Sequence, residues 1–182
     1  MPILRLSGCA LLAALACSSI PAAAQSDTSI LHQVTGGLLA HDVPIWASHR
    51  KEEGLDLNAG LVFALPLVDL LGGTIRPYTG ASVSLSGDTS RVAAGLVWQA
   101  QYGSMFLDLG LGGAVHNGKL DHAGPDRKNL GSRLLFHIPV EVGVALDAHH
   151  RIGLYFEHFS NAYLADPNPG IDAFGLRYTY QF

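Results

Sequence analysis

The chain has 182 residues, a formal net charge of -4 and only 14% charged side chains, well below the roughly 25% usual in soluble domains. It carries no basic excess and no run of like charge, which argues against a nucleic-acid partner. Twenty-one glycines beside two methionines lean towards β structure, and the length fits one domain.

Residues 1–24 read as an export signal. Arg5 supplies the positive n-region, residues 9–17 the apolar core, and Ala22-Ala23-Ala24 an A-x-A cleavage site, so the mature chain is expected to begin at Gln25. An apolar stretch that short is a poor membrane anchor. Leu6-Ser7-Gly8-Cys9 resembles a lipoprotein box, but too little apolar sequence precedes it to act as a signal core. Both cysteines, Cys9 and Cys17, fall inside the signal. The mature protein is therefore expected to lack a disulfide, a thiol nucleophile and any cysteine-bound metal.

From residue 25 onward the recurring pattern is alternation with period two, which marks strands with one apolar face. A weaker segment near 29–40 comes first. Leu55, Leu57, Ala59, Leu61 and Phe63 then alternate with Asp56, Asn58, Gly60 and Val62. Another weak segment covers 73–85. Val92, Ala94, Leu96 and Trp98 follow, then Met105, Leu107, Leu109 and Leu111. From 132 to 146, Leu134, Phe136, Ile138, Val140, Val142 and Val144 share a face, opposite Arg133, His137, Glu141 and Gly143. A seventh strand covers 150–161. The last runs to the C-terminus, with Phe174, Leu176, Tyr178, Tyr180 and Phe182 on one face. A terminal Phe preceded by alternating aromatics resembles the C-terminal signature of bacterial outer-membrane barrels.

The pattern predicts an all-β fold, an eight-stranded antiparallel transmembrane β-barrel. Each strand is long enough to cross a bilayer at a tilt, which takes roughly 9–11 residues. Connections near 41–53, 117–131 and 162–171 are longer and polar, and are expected outside the cell. Those near 66–72, 102–104 and 147–150 are shorter and are expected in the periplasm; 86–90 is short where a long loop was expected. A soluble sandwich or lipocalin-like barrel also alternates, but its outward face carries many charges. Here the polar faces are glycine-rich with scattered charges, as suits a narrow interior filled by side chains rather than a channel. Arg133, Glu141, Asp108, Asp56 and Arg76 are expected to pair inside it, because unpaired buried charge is costly.

The seventh strand carries the candidate chemistry. Its even face runs Ile152, Leu154, Phe156, His158, Ser160, and its odd face Arg151, Gly153, Tyr155, Glu157, Phe159. If the apolar face meets lipid, His158 and Ser160 point out of the barrel, where a polar group is costly and usually functional. A His and a Ser two residues apart on a strand can form a nucleophile–base pair. Asp172 has the parity of Phe174 and Leu176, so strand pairing is expected to put it opposite His158 or Ser160 as the acid that orients the imidazole. Glu157 points inward and is a poor substitute. The plainer reading is a rim where polar side chains meet headgroups. His149-His150 reads as a solvated turn rather than a metal pair. His41-Asp42 and His49, with Arg50 and Lys51, read as a polar loop that could also contact substrate phosphates.

The run His158-Phe159-Ser160-Asn161-Ala162, followed by Pro167-Asn168-Pro169-Gly170-Ile171-Asp172, resembles the lipid A 3-O-deacylase (PagL) family, with its H-x-S-N-A motif and an acid after an N-x-G turn. The likeness is sharpest over 130–182. It implies an exported eight-stranded barrel in the bacterial outer membrane that removes the acyl chain ester-linked at position 3 of lipid A. It implies Ser160 as nucleophile, His158 as general base and acid, Asp172 as orienting acid and Asn161 as an aid to the oxyanion, with lipid A or lipopolysaccharide as partner and no cofactor or metal. The family's acid is usually Glu; Asp172, one methylene shorter, leaves open a longer hydrogen bond to His158 and reduced activity. A structural or adhesive barrel without activity, and an esterase acting on phospholipid, remain as alternatives; homodimerisation is left open.

Overall fold

The computed structural model describes residues 29–182. The expected signal segment 1–24, with Cys9 and Cys17, and the expected start at Gln25 lie outside the described residues. Nine strands follow in chain order: β1 (Leu31–His41), β2 (Leu55–Phe63), β3 (Val68–Leu70), β4 (Gly73–Ser84), β5 (Arg91–Tyr102), β6 (Met105–His116), β7 (Leu134–Ala145), β8 (His150–Ser160) and β9 (Ile171–Gln181). All pairings between them are antiparallel. β1 pairs with both β2 and β9, and β2 pairs with β4, which closes the wall into a barrel of eight strands. Closure leaves no free edge among them. The three-residue β3 is an extra arm on β4, so the short connection expected at 66–72 contains a short ladder.

Period-two alternation becomes two chemically opposite faces. Leu55, Leu57, Val92, Leu96, Leu109 and Leu111 are exposed on the outside, while Asp56, Asn58, Ser82, Arg91 and Glu157 are buried within. Apolar groups outside and ion pairs inside reverse the order of a water-soluble protein. It is the arrangement of a barrel whose solvent is lipid.

The lumen is cross-braced. Arg91 Nη2 lies 2.7 Å from both Asp56 and Glu157, Arg151 pairs with Asp108 at 3.2 Å, and Arg177 with Glu141 at 3.4 Å. Asp56, Asp108 and Glu141 thus pair inside as expected. Arg133 does not: it stands exposed before β7 and donates to the carbonyls of His116 and Gly118. Arg76 makes no ion pair among the described residues, and its Nε finds no hydrogen-bond partner there. About 50 Å³ of free space remains inside, room for a few waters and no channel.

At the loop end a second buried network ties the connections together. His41 places Nδ1 2.7 Å from Asp56 and Nε2 3.0 Å from Glu52. Glu52 also accepts from the Thr89 amide and hydroxyl and from the Lys128 amide. Burial pushes the Glu52 carboxyl up, but these hydrogen bonds from His41, Thr89 and Lys128 outweigh it and hold the group at about 2. Lys128 Nζ reaches Asp42 at 2.5 Å and the Gly170 carbonyl at 2.9 Å. His41 and Asp42 are therefore interior braces and not candidate phosphate contacts, since both are fully buried. Of the candidate phosphate contacts in that loop, His49, Arg50 and Lys51 stay exposed.

Candidate active site

β8 and β9 place the site. In register, His158 faces Asp172 across the β8–β9 ladder, and Ser160 faces Phe136 of β7. The inward residues Tyr155, Glu157 and Phe159 are buried, and Phe159 stacks flat on His137 at 4.3 Å. Leu130, Leu135 and Ile171 pack in the same cluster. This packed interior fixes the strand from behind and leaves the even face turned outward.

On that face His158 Nε2 lies 3.0 Å from Ser160 Oγ, and His158 Nδ1 lies 2.5 Å from Asp172 Oδ1. The shorter acid left open a longer bond to the ring, which the structure does not show. Directly opposed residues on one face bring their Cβ atoms to roughly 4.5–5.5 Å, within reach of an aspartate. Glu157, inward as expected, is engaged by Arg91, Ser82 and Tyr155. A hydroxyl, an imidazole and a carboxylate in line can take a proton from the nucleophile and return it to a leaving group.

Asp172 shares the lipid-side parity but is fully buried, because the β1–β2 loop folds over it. Its Oδ2 accepts from three successive amides, Ile45 at 3.1 Å, Trp46 at 2.5 Å and Ala47 at 2.8 Å. The Trp46 indole stands edge-on to His158 and to Phe156, with ring centroids 5.3 and 5.1 Å apart. Gly170 adopts φ +66° beneath the imidazole; a Cβ there would meet His158 Cε1 at 3.1 Å. Glycine fits because it tolerates that φ and lets the ring lie against the backbone.

Asn161 does not sit as expected. Its Nδ2 donates to the Leu130 and Pro167 carbonyls, and its main-chain N–H to Asn168 Oδ1. With both amide hydrogens committed and the side chain buried, it has none to offer an oxyanion. It holds the β6–β7 and β8–β9 loops together instead. The next two residues are better disposed: Ala162 and Tyr163 have φ of +51° and +61°, and among the described residues neither N–H finds an acceptor. Such left-handed conformations cost about 1–3 kcal/mol each and cluster at active sites.

Beside Ser160, on the outer wall, lies a groove of about 400 Å³ between β6, β7 and the β8–β9 loop, lined by Gly113, Leu134, Phe136, Leu164 and Ala165 among others. Gly113, opposite Phe136, omits a side chain from the otherwise apolar outer row of β6. At the other end of the barrel, His149 Nδ1 bonds the Gln181 carbonyl and His150 Nδ1 the Tyr178 hydroxyl. The two histidines are thus tied to β9 rather than standing in a free turn. Among the described residues no group of three or more His, Cys, Asp or Glu is placed to hold a metal ion.

The fold brings together His158, Ser160 and Asp172, which the sequence singled out, and adds the 45–47 segment and Lys128, which it did not. Backbone amides leave no side-chain signature; an isolated Trp46 in a polar loop was the one available sign.

Comparison with known proteins agrees with this architecture. Residues 34–181 match the family described as lipid A 3-O-deacylase (PagL). The chain is 37% identical over 117 residues to the lipid A deacylase PagL of Bordetella bronchiseptica, an alignment covering 59% of this chain and 62% of that relative's length. The crystal structure of the outer membrane enzyme PagL superposes with a TM-score of 0.60 at 22% identity, covering 82% of this chain and 99% of that one, which shows a shared fold. With a match that spans all eight strands of the wall from β1 to β9, this chain belongs to the lipid A 3-O-deacylase (PagL) family.

Proposed function

We propose that this protein is a lipid A 3-O-deacylase of the bacterial outer membrane, exported by a signal cleaved after residue 24, and that it works as a serine ester hydrolase. The observation that carries the reading is the line Ser160–His158–Asp172 on the lipid-facing wall. A hydrolase for soluble substrates has no reason to face its nucleophile into hydrocarbon, whereas a substrate that is itself a membrane lipid meets it there.

His158 Nε2 takes the Ser160 proton as Oγ attacks the ester carbonyl at position 3. Asp172 holds the imidazole in the tautomer with Nδ1 protonated and stabilises the cation that forms. The uncommitted Ala162 and Tyr163 amides, which follow the motif, are assigned to the oxyanion, a contribution often worth about 3 kcal/mol per donor. Collapse returns the proton from His158 to the sugar oxygen, leaving an acyl–Ser160 ester. Water, deprotonated by His158, then cleaves that ester and releases the fatty acid. The groove at Gly113 receives the acyl chain, since it begins beside Ser160 and is apolar. The exposed Arg50 and Lys51 of the β1–β2 loop are available to contact a headgroup phosphate. No step needs a metal or an organic cofactor.

Mass spectrometry of lipid A from cells with and without the protein tests the reading. Loss of one 3-hydroxyacyl chain is expected. Unchanged lipids would leave a structural or adhesive barrel, and altered phospholipids with intact lipid A would mean a phospholipid esterase.

A further inference from the structure

The acid of the site is shared with a segment from the far side of the chain. Residues 43–48 cross from β1 over the outer rim of β9. Val43 N–H donates to the Asp172 carbonyl at 3.0 Å and Ser48 N–H to the Pro169 carbonyl at 2.9 Å. Between these two ties, the amides of Ile45, Trp46 and Ala47 converge on Asp172 Oδ2. Successive N–H groups around one oxygen make an anion-binding nest, and hydrogen bonds from backbone amides to a carboxylate are of the stronger, charge-assisted kind.

The ends of the segment are held by further contacts. Asp42 and His49 both adopt left-handed backbone, φ +49° and +44°, which turns the chain out of β1 and back again. Asp42 Oδ2 accepts from the Lys51 and Glu52 amides, and its Oδ1 from buried Lys128, which also grips Gly170 under the imidazole. Asp42, Lys128 and Gly170 thus fix the distance between the segment and β9. The segment itself contributes a ring over His158 and three donors to the acid.

We propose that residues 45–47 form a positioning strap for the catalytic acid. By occupying Oδ2, the three amides leave Oδ1 as the lone partner of His158 and stop the short Asp172 side chain from rotating away from the ring. Trp46 closes the lipid-facing side of that contact. The strap acts through Asp172 and not on the substrate; Lys128 and Asp42 hold its anchor. The inference deepens the deacylase reading and uses it for one of its two tests.

Proline removes a backbone donor. Trp46→Pro removes the shortest amide contact and the indole together, whereas Trp46→Ala removes the indole alone and Trp46→Phe keeps both an amide and a ring. On lipid A in mixed micelles, Trp46→Pro is expected to lower kcat by ~10–100-fold with KM within ~2-fold, as the loss of a hydrogen bond to a charged group implies. Trp46→Ala should retain more activity than Trp46→Pro, and Trp46→Phe more than either. Introduced into Asp172→Ala, the same proline should cost less than ~2-fold, because residues that act as a unit are non-additive. An equal loss in both backgrounds, or no loss in the wild type, would overturn the proposal. Ala47→Pro replaces Trp46→Pro if the latter does not reach the heat-modifiable barrel form. Amide hydrogen exchange gives the second test and needs no activity. The Trp46 amide should be protected in the wild type and exchange faster in Asp172→Ala, and unchanged exchange overturns the strap even if lipid A proves not to be the substrate.

Discussion

His158 and Asp172 are opposed across the β8–β9 ladder, and their side chains meet at 2.5 Å on the outer wall of the barrel. Neither residue has a packing role inside: the lumen behind them is filled by Phe159, Glu157 and Ala173. Chemistry and folding are thus carried by opposite faces of the same strands, and substitutions on one face can be read without disturbing the other.

Ser160→Ala and His158→Ala are each expected to reduce deacylation by about 10⁴-fold or more, while heat-modifiable migration in detergent shows an intact barrel. Wild-type activity in Ser160→Ala would exclude it as nucleophile.

Asp172, as the proposed acid, is expected to tolerate neither removal nor lengthening. Asp172→Ala should lower kcat by about 10²–10⁴-fold. Asp172→Glu adds roughly 1.5 Å of reach where the aspartate already contacts the ring and three amides, so either the imidazole or the 45–47 segment must shift; a loss of about 10-fold is expected. Kinetics of the two variants on lipid A check this, and a Glu variant faster than wild type would show that the observed contact is not the productive one.

Gly113 sets the depth of the groove. A Cβ there meets nothing closer than Leu134 Cδ1 at 3.7 Å, so a larger side chain projects into the groove and not into the wall. Gly113→Phe is expected to raise KM for long-chain substrate by about 10-fold, the scale of lost apolar contact for a few methylenes, and to spare short-chain esters. Equal loss on both would place the acyl chain elsewhere.

Glu52 makes the loop end acid-sensitive. Its carboxyl sits at about 2 in the fold against an ordinary 4.5, so it stabilises the loop network fully above about 4.5 and loses that contribution as pH falls towards 2. Glu52→Gln should lower Tm by several degrees at pH 7 and by progressively less below pH 4.5. A difference in Tm independent of pH would assign the effect to packing rather than charge.

Parity made the wall and its chemistry legible. Once Leu176 and Phe174 face lipid, Asp172 must too, and Ile152 to Phe156 fix His158 and Ser160 in the same way. The period of two carries through a barrel without interruption. What parity does not reach is the loop end. His41 and Asp42 look like solvated loop residues because nothing local reveals that Glu52, Arg91 and Lys128 will converge on them from 10 to 86 positions away. Asn161 misled for a related reason: a motif names a residue, but only the fold shows that Leu130 and Pro167 have already claimed its amide hydrogens.

The outward-facing Ser160, as the proposed nucleophile, also restricts how copies of this protein can sit together. On the proposed function the wall formed by β7, β8 and β9 is where substrate enters, and a neighbour packed against it would cover Ser160 and the mouth of the groove. Self-association that preserves turnover has to use the opposite third, around β2, β4 and β5, where Leu57, Val83, Val92 and Leu96 are exposed. Crowding in the membrane would therefore act on this enzyme as a competitor for one side of a cylinder, with lipid and protein contending for the same strip of wall.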